Sequence, residues 1–457
     1  MLKKRLGLTL VIGLMLGVPG AWADTDEDRP RKGPADRDPS RVASTWFDTL
    51  YDVIKSEATA PPPASRIYGI SAVALYEAVA PGTRHHRSLA GQLHGLDRVP
   101  KPRGRNKKYH WPAVANAALA GTIRGLFPSP RPENRAAINA LEESFATQFQ
   151  AEVDAEVYER SADQGRAVAD AILGWAATDG YSTYNNCPYV PKPIAGAWES
   201  TPPAFVANPL QPCWGLIRTM VLRSGGACPP PGHPAFSSNL ASEFSAAAFE
   251  VYNTGQSLTD EQKTIAAYWA DAAAVTGTPP GHWIALVGQI ARSESLSLSA
   301  AAEAFARVGI AVHDAFIQCW FIKYVTNLQR PVTYIRDSFD ASWLPYIGTP
   351  PFPAYTSGHS TQSGAAAAVL TAMFGKKAFT DTLHADHHLV PAQDARSFAS
   401  FDEAAAEAAI SRLYGGIHYG FDNDDGLTCG KCIGRTINRR VRFTDERDDD
   451  DDQEDER

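Results

Sequence analysis

No Gly-rich phosphate loop and no G-x-S-x-G nucleophile elbow occur in the 457 residues, which sets aside P-loop nucleotide chemistry and α/β-hydrolase chemistry. Strand-like alternation is sparse and no fixed-period repeat stands out, so neither a sheet-based fold nor a solenoid is expected. Beyond the N-terminal apolar run, no segment stays apolar without interruption over the length a bilayer span requires. A basic surplus is also lacking. The net charge is −8, and Asp445 to Arg457, with ten acidic residues and two arginines, carries all of it. The remainder is neutral overall and offers no basic surface to nucleic acid, while residues 445–457 read as an acidic disordered tail. Cysteine is scarce, at six. Cys429 and Cys432 form a lone C-x-x-C with no βαβ pattern and no second pair, which disfavours a redox or zinc role.

What is present is ordinary for a globular chain: 44% hydrophobic and 21% charged residues. Alanine is abundant within helical runs, which favours an all-α, helical-bundle architecture, two packed four-helix-type bundles with long loops. Lys3, Lys4 and Arg5 precede an apolar run from Leu6 to Val18, and Ala21-Trp22-Ala23 follows. Residues 1–23 therefore read as a signal peptide cleaved after Ala23, and the protein as periplasmic or secreted. Six cysteines in an exported chain suit disulfides, with the pairing left open. Residues 24–40 read as a flexible leader and 41–440 as a single helical domain, with its catalytic half at about 260–440.

Helices are expected from near Val42, over Ala64–Ala80, Trp111–Phe127, and in two pieces over Arg135–Ala177. Residues 178–235, rich in Pro, Asn, Cys and aromatics, read as a long covering loop. Thr259 is a candidate cap for a helix running to about Ala274 and stopping before Thr278-Pro279-Pro280-Gly281. Further helices are expected over Ser299–Leu328, from Ser360 to Phe374, over 402–413 and over Tyr419–Arg439. Gly426, Gly430 and Gly434 give the last of these a smooth face for close packing. His384, Asp386, His387 and His388 read as a solvated polar loop rather than a metal site.

Three segments carry chemistry. Lys323 and Arg330 are seven apart, near two helical turns, so both cations can leave one face, and Pro331 should end that element. Ser357-Gly358-His359 opens onto an Ala-rich helix, where free amides and a partial positive charge favour an anion. Arg412 precedes a Gly415-Gly416 break and then His418, with Asp422 one turn beyond. That carboxylate can hold one ring nitrogen of His418 and leave the other as a basic lone pair. Each piece alone is commonplace; together they describe a pocket for a tetrahedral oxyanion.

These motifs resemble the superfamily of type-2 phosphatidic acid phosphatases and vanadium-dependent haloperoxidases, over about residues 260–440. Trp320, three before Lys323, resembles the haloperoxidase pattern, and Phe352, seven before His359, resembles the chloroperoxidase-like branch, as do Pro353-Ala354-Tyr355 and Tyr268-Trp269-Ala270-Asp271. Thr356 departs from the proline common there before Ser-Gly-His. The resemblance implies a vanadate cofactor, with His418 as the vanadium ligand. Lys323, Arg330, Ser357, Gly358 and Arg412 would bind its oxygens, His359 would act as acid–base group, and Asp422 would orient His418. Trp320 and Phe352 would line a halide pocket, and Asp271 would stand behind Arg412 as its partner. Hydrogen peroxide, a halide and a small organic acceptor are the implied partners, and hypohalous acid the product. The alternative is an exported acid phosphatase with His418 as the nucleophile that becomes phosphohistidine.

Overall fold

The structure, a computed structural model, describes residues 33–104 and 107–445. The expected signal peptide, the first part of the leader and the tail beyond Asp445 lie outside the described residues. Residues 33–40, expected as leader, are tied to the body: Ala35 is buried, and the Ser40 amide donates to Leu296 O at 3.2 Å.

Fifteen helices occur among the described residues: α1 (Arg41–Ser56), α2 (Pro61–Val79), α3 (Trp111–Leu126), α4 (Pro132–Glu152), α5 (Ala155–Ala176), α6 (Tyr181–Tyr184), α7 (Glu243–Gln256), α8 (Asp260–Tyr268), α9 (Thr278–Ser293), α10 (Leu298–Thr326), α11 (Pro331–Ser338), α12 (Gly358–Phe374), α13 (Leu383–Asp386), α14 (Phe401–Tyr414) and α15 (Gly420–Arg440). Two three-residue strands, β1 (Phe379–Asp381) and β2 (Arg396–Phe398), pair antiparallel. The all-α expectation holds.

Local chemistry sets the helix starts. Thr259 completes a capping box with Gln262, and Ser297, Ser357 and Ser400 each accept an amide from the first turn of their helix. Three expectations need correction. The helix from Thr259 stops at Tyr268 rather than near Ala274, because the chain turns through left-handed backbone at Asp271 and Ala274. Pro279 and Pro280 do not mark a gap; they occupy the first turn of α9, where no N–H is required. The Lys323 helix ends at Thr326 with Asn327 in a left-handed C-cap. Arg330 is therefore not on its face but is the extended N-cap of α11.

Helix α10 is long and apolar enough to cross a membrane by length and composition, yet it is largely buried inside the protein. It packs on α2 and α9 on one side and on α12 and α15 on the other, and so joins the N-terminal helices to the group that carries the site. Helices α12 and α15 lie in close contact. A Cβ at Gly434 would meet Ala368 Cβ at 2.5 Å, and one at Gly430 would strike the Thr361 carbonyl oxygen. Gly430→Ala is expected to cost about 1–3 kcal/mol by overpacking, read as a lower denaturation midpoint with an unchanged slope.

The long segment 178–235 is pinned over this core. Disulfides join Cys187 to Cys213 and Cys228 to Cys432, leaving Cys319 and Cys429 as buried thiols. The buried Asp314 carboxylate accepts the amides of Met220, Val221 and Leu222 at 2.6, 2.9 and 2.9 Å.

Candidate active site

The site forms where the C-terminal end of α10, the start of α11, the N-terminus of α12 and the α14–α15 junction meet. Lys323, Arg330 and Arg412 are fully buried or nearly so. Lys323 Nζ donates to the carbonyls of Pro353 and Ala354 at 2.9 and 2.7 Å. Arg330 ties three segments together, with Nε on Phe352 O at 2.7 Å and Nη1 on Ile417 O at 2.8 Å and on His418 Nε2 at 3.1 Å. Arg412 is held by Ser411 Oγ at 3.0 Å and Ala266 O at 3.3 Å.

Among the described residues, no carboxylate forms an ion pair with any of these three cations. Charge buried without a partner is costly, and the protein shows the strain: burial pulls Lys323 down to about 7 and Arg330 and Arg412 to about 10. Such a cluster calls for an anion. Arg330 Nη2 and His359 Nε2 are enclosed with no hydrogen-bond partner.

The N-terminus of α12 adds donors. Ser357 caps the helix, taking the Ser360 amide at 3.3 Å and the Ser360 hydroxyl at 2.9 Å, which leaves its own proton free. Its amide donates to Asp422 O at 2.9 Å and fixes α12 to α15. The Gly358 and His359 amides have no acceptor within the helix. His359 is partly exposed, yet burial of its ring and the nearby Arg412 and His282 hold it well below the ordinary histidine range.

Across from these donors stands His418. Its Nδ1 contacts Asp422 Oδ2 at 2.8 Å, which places the proton on Nδ1 and the lone pair on Nε2. Burial, then Arg330, Lys323 and Arg412, push its pKa well down, so the ring is neutral. Burial raises Asp422 to about 7. Trp320 and Phe352 meet at 4.9 Å between ring centroids, and the Phe352 ring lies 5.2 Å from Lys323 Nζ and 4.8 Å from Arg330 Cζ.

All residues expected to bind the oxyanion are thus brought together, as are the two aromatic rings. Asp271 departs from expectation. Its partner is not Arg412: Asp271 Oδ2 lies 3.0 Å from His282 Nδ1, although its charge still reaches Arg412. His282, and Asp381 on its other nitrogen at 2.7 Å, were invisible in the sequence, since a lone His and a lone Asp 99 residues apart carry no pattern. The His384 loop also differs from a solvated one. His384 and His387 turn inward, with ring centroids 4.7 Å from Tyr268 and 3.8 Å from Tyr51.

The residues fit a tetrahedral oxyanion with a metal at its centre: three buried cations and orphaned donors gather around one imidazole, whose Nε2 lone pair Arg330 Nη1 meets at 3.1 Å. Comparison with known proteins agrees. A family model described as the VCPO second helical-bundle domain matches residues 303–445. The vanadium chloroperoxidase of Curvularia inaequalis is 25% identical over 80% of this chain and 75% of that protein. The vanadium-dependent bromoperoxidase of Ascophyllum nodosum is 35% identical over 104 residues, 21% of this chain and 19% of its own. A solved structure described as the first bacterial vanadium-dependent iodoperoxidase superposes with a TM-score of 0.82 at 33% identity, covering 92% of this chain and 99% of that one. A holo-type bacterial vanadium-dependent chloroperoxidase, at 15% identity and a TM-score of 0.64, shares the fold over 84% of this chain and 95% of its own. The chain belongs to the vanadium haloperoxidase family.

Proposed function

We propose that this protein is a vanadate-dependent haloperoxidase that uses hydrogen peroxide to oxidise a halide to hypohalous acid, which then halogenates a small organic acceptor. The observation that carries this reading is the buried, uncountered set of Lys323, Arg330 and Arg412 around the Nε2 lone pair of His418. Export by residues 1–23 to the periplasm or the medium belongs to the same proposal.

Bound vanadate supplies Lewis-acid activation of hydrogen peroxide. The chain's own residues do the rest. His418 offers Nε2 as ligand while Asp422 keeps the proton on Nδ1. Arg330 and Arg412 neutralise oxyanion charge, with the Ser357 hydroxyl and the Gly358 amide as further donors. Lys323 places a positive charge where electron density must leave the peroxide. His359, neutral and with Nε2 open, would be the group that takes a proton from hydrogen peroxide and gives it back as water forms. Trp320 and Phe352 strip water from the halide beside Lys323. The balance is hydrogen peroxide, halide and one proton giving hypohalous acid and water.

Vanadate reconstitution followed by halide-dependent peroxide consumption tests the reading. Phosphomonoester hydrolysis that needs no vanadate and is blocked by it, with no halide oxidation, would replace it by the phosphohistidine alternative. Phe352→His is expected to alter the ratio of bromide to chloride oxidation while vanadate stays bound, because the ring touches the two cations but donates to no oxyanion. Loss of vanadate from that variant contradicts the pocket assignment.

A further inference from the structure

One buried cluster beside the site has no part in the chemistry above. His282, on the first turns of α9, is wholly enclosed, and so are both carboxylates that grip it. Its Nδ1 meets Asp271 Oδ2 at 3.0 Å and its Nε2 meets Asp381 Oδ2 at 2.7 Å. Its ring lies against Trp269, 4.2 Å between centroids and 15° between planes. Asp381 is fixed in turn, with the Leu383 amide on Oδ1 at 3.0 Å and the Tyr268 hydroxyl on its backbone oxygen at 3.2 Å.

The turn that His282 grips is the one that supports the oxyanion site. Ala266 O accepts from Arg412 Nη2 at 3.3 Å. The Trp269 backbone favours the protonated ring of His359 against its burial, and the Asp271 charge opposes the burial that would strip Arg412 of its proton. Asp271 has φ +45°, a left-handed conformation that a non-glycine residue keeps only when its surroundings hold it there. Its second oxygen, Oδ1, is buried without a partner. One imidazole therefore braces the segment against which Arg412 of α14 and His359 of α12 both rest.

We propose that His282, clamped between Asp271 and Asp381, is a positioning residue for the oxyanion site, holding the end of α8 and the turn after it, residues 266–271, so that Arg412 and His359 face the bound oxyanion. This rests on the oxyanion reading of the site. The charges agree with it. Burial would remove the proton from His282, but Asp271 and Asp381 outweigh burial and raise it to about 10. The imidazolium and two carboxylates together carry a single negative charge, set beside three uncountered cations. His282→Gln leaves two carboxylates facing each other, and the turn loses its clamp.

Calorimetric titration of inorganic phosphate and of orthovanadate into wild type, His282→Gln, Asp271→Asn and the double variant tests this, with unfolding temperatures recorded alongside. Each single variant is expected to bind both oxyanions about 10–100-fold more weakly. The double variant should bind no more weakly than the poorer single, since both changes break one linkage. The acid limb of the halide-oxidation pH profile should also move upward in His282→Gln. Arg412, His282 and Lys323 are the cations that hold His359 down, against the Trp269 backbone, and one of them is removed; a purely structural loss leaves that limb in place. Undiminished affinity in His282→Gln, additive losses in the double variant, or an unmoved acid limb overturns the inference. If His282→Gln does not fold, Asp381→Asn removes the outer anchor alone and must weaken binding in the same direction, and unchanged affinity there overturns the inference equally. Failure of wild type to bind either oxyanion overturns the reading of the site itself.

Discussion

Lys323→Met is expected to lower oxyanion affinity and halide oxidation by about 10²–10³-fold while leaving the unliganded protein nearly as stable as before. Two opposing effects produce this. Burial brings the Lys323 ammonium from 10.5 down to about 7, which corresponds to a cost of roughly 5 kcal/mol for keeping it charged. Removing the amine relieves that cost. It also strips the Pro353 and Ala354 carbonyls of the donor that reaches both, at roughly 1–3 kcal/mol each. The terms are similar in size, so the melting temperature should move by only a few degrees. A residue kept for stability would behave otherwise, with function lost only as the fold is lost. Phosphate titration and thermal unfolding of one preparation separate the two; a large fall in melting temperature with affinity intact contradicts the assignment.

The second large effect is on pH. Unliganded Lys323 loses its proton near 7, and a bound oxyanion must raise that value by pairing with the ammonium. Binding then takes up a proton above about pH 7. The part of the affinity that Lys323 supplies is fully present below the unliganded value and is lost as pH rises through it, by up to about tenfold per unit until the liganded value is reached. Phosphate and vanadate titrate in the same range, so the observable is the difference between wild type and Lys323→Met in buffers of unequal ionisation enthalpy. Wild type should take up more protons at pH 8 than at pH 6, and the variant should lack that increment. His418 imposes no such loss over this range, because it is already neutral. Equal proton uptake by both proteins at pH 8 would show that Lys323 is not the titrating donor.

Much of the site was legible because its residues sit at element ends, where sequence speaks most directly. Ser357-Gly358-His359 opens α12, and Asp422 lies one turn past His418. These are short-range relations with fixed spacing. The glycines of α15 were legible for the same reason, as a four-residue period on one helix face. What could not be read depends on ambiguous signals or on distant partners. Pro279-Pro280 suits a helix stop and a helix start equally, and here it starts α9; with that helix unread, His282 had no place. The choice of His282 over Arg412 as partner of Asp271 is made by the path of the turn after Tyr268, which left-handed residues set and no periodicity announces. The Cys228–Cys432 bridge, 204 residues apart, is likewise a product of the fold and not of spacing.

The central claim is that three buried cations and one neutral imidazole enclose a vanadium oxyanion that does the oxidation. Vanadium content after vanadate loading and gel filtration, paired with halide oxidation on the same samples, tests it most directly in wild type and His418→Ala. Stoichiometric vanadium with halide-dependent turnover in wild type, and neither in a folded His418→Ala, is the predicted result. Equal vanadium in both proteins, or loaded wild type with no turnover, would contradict it.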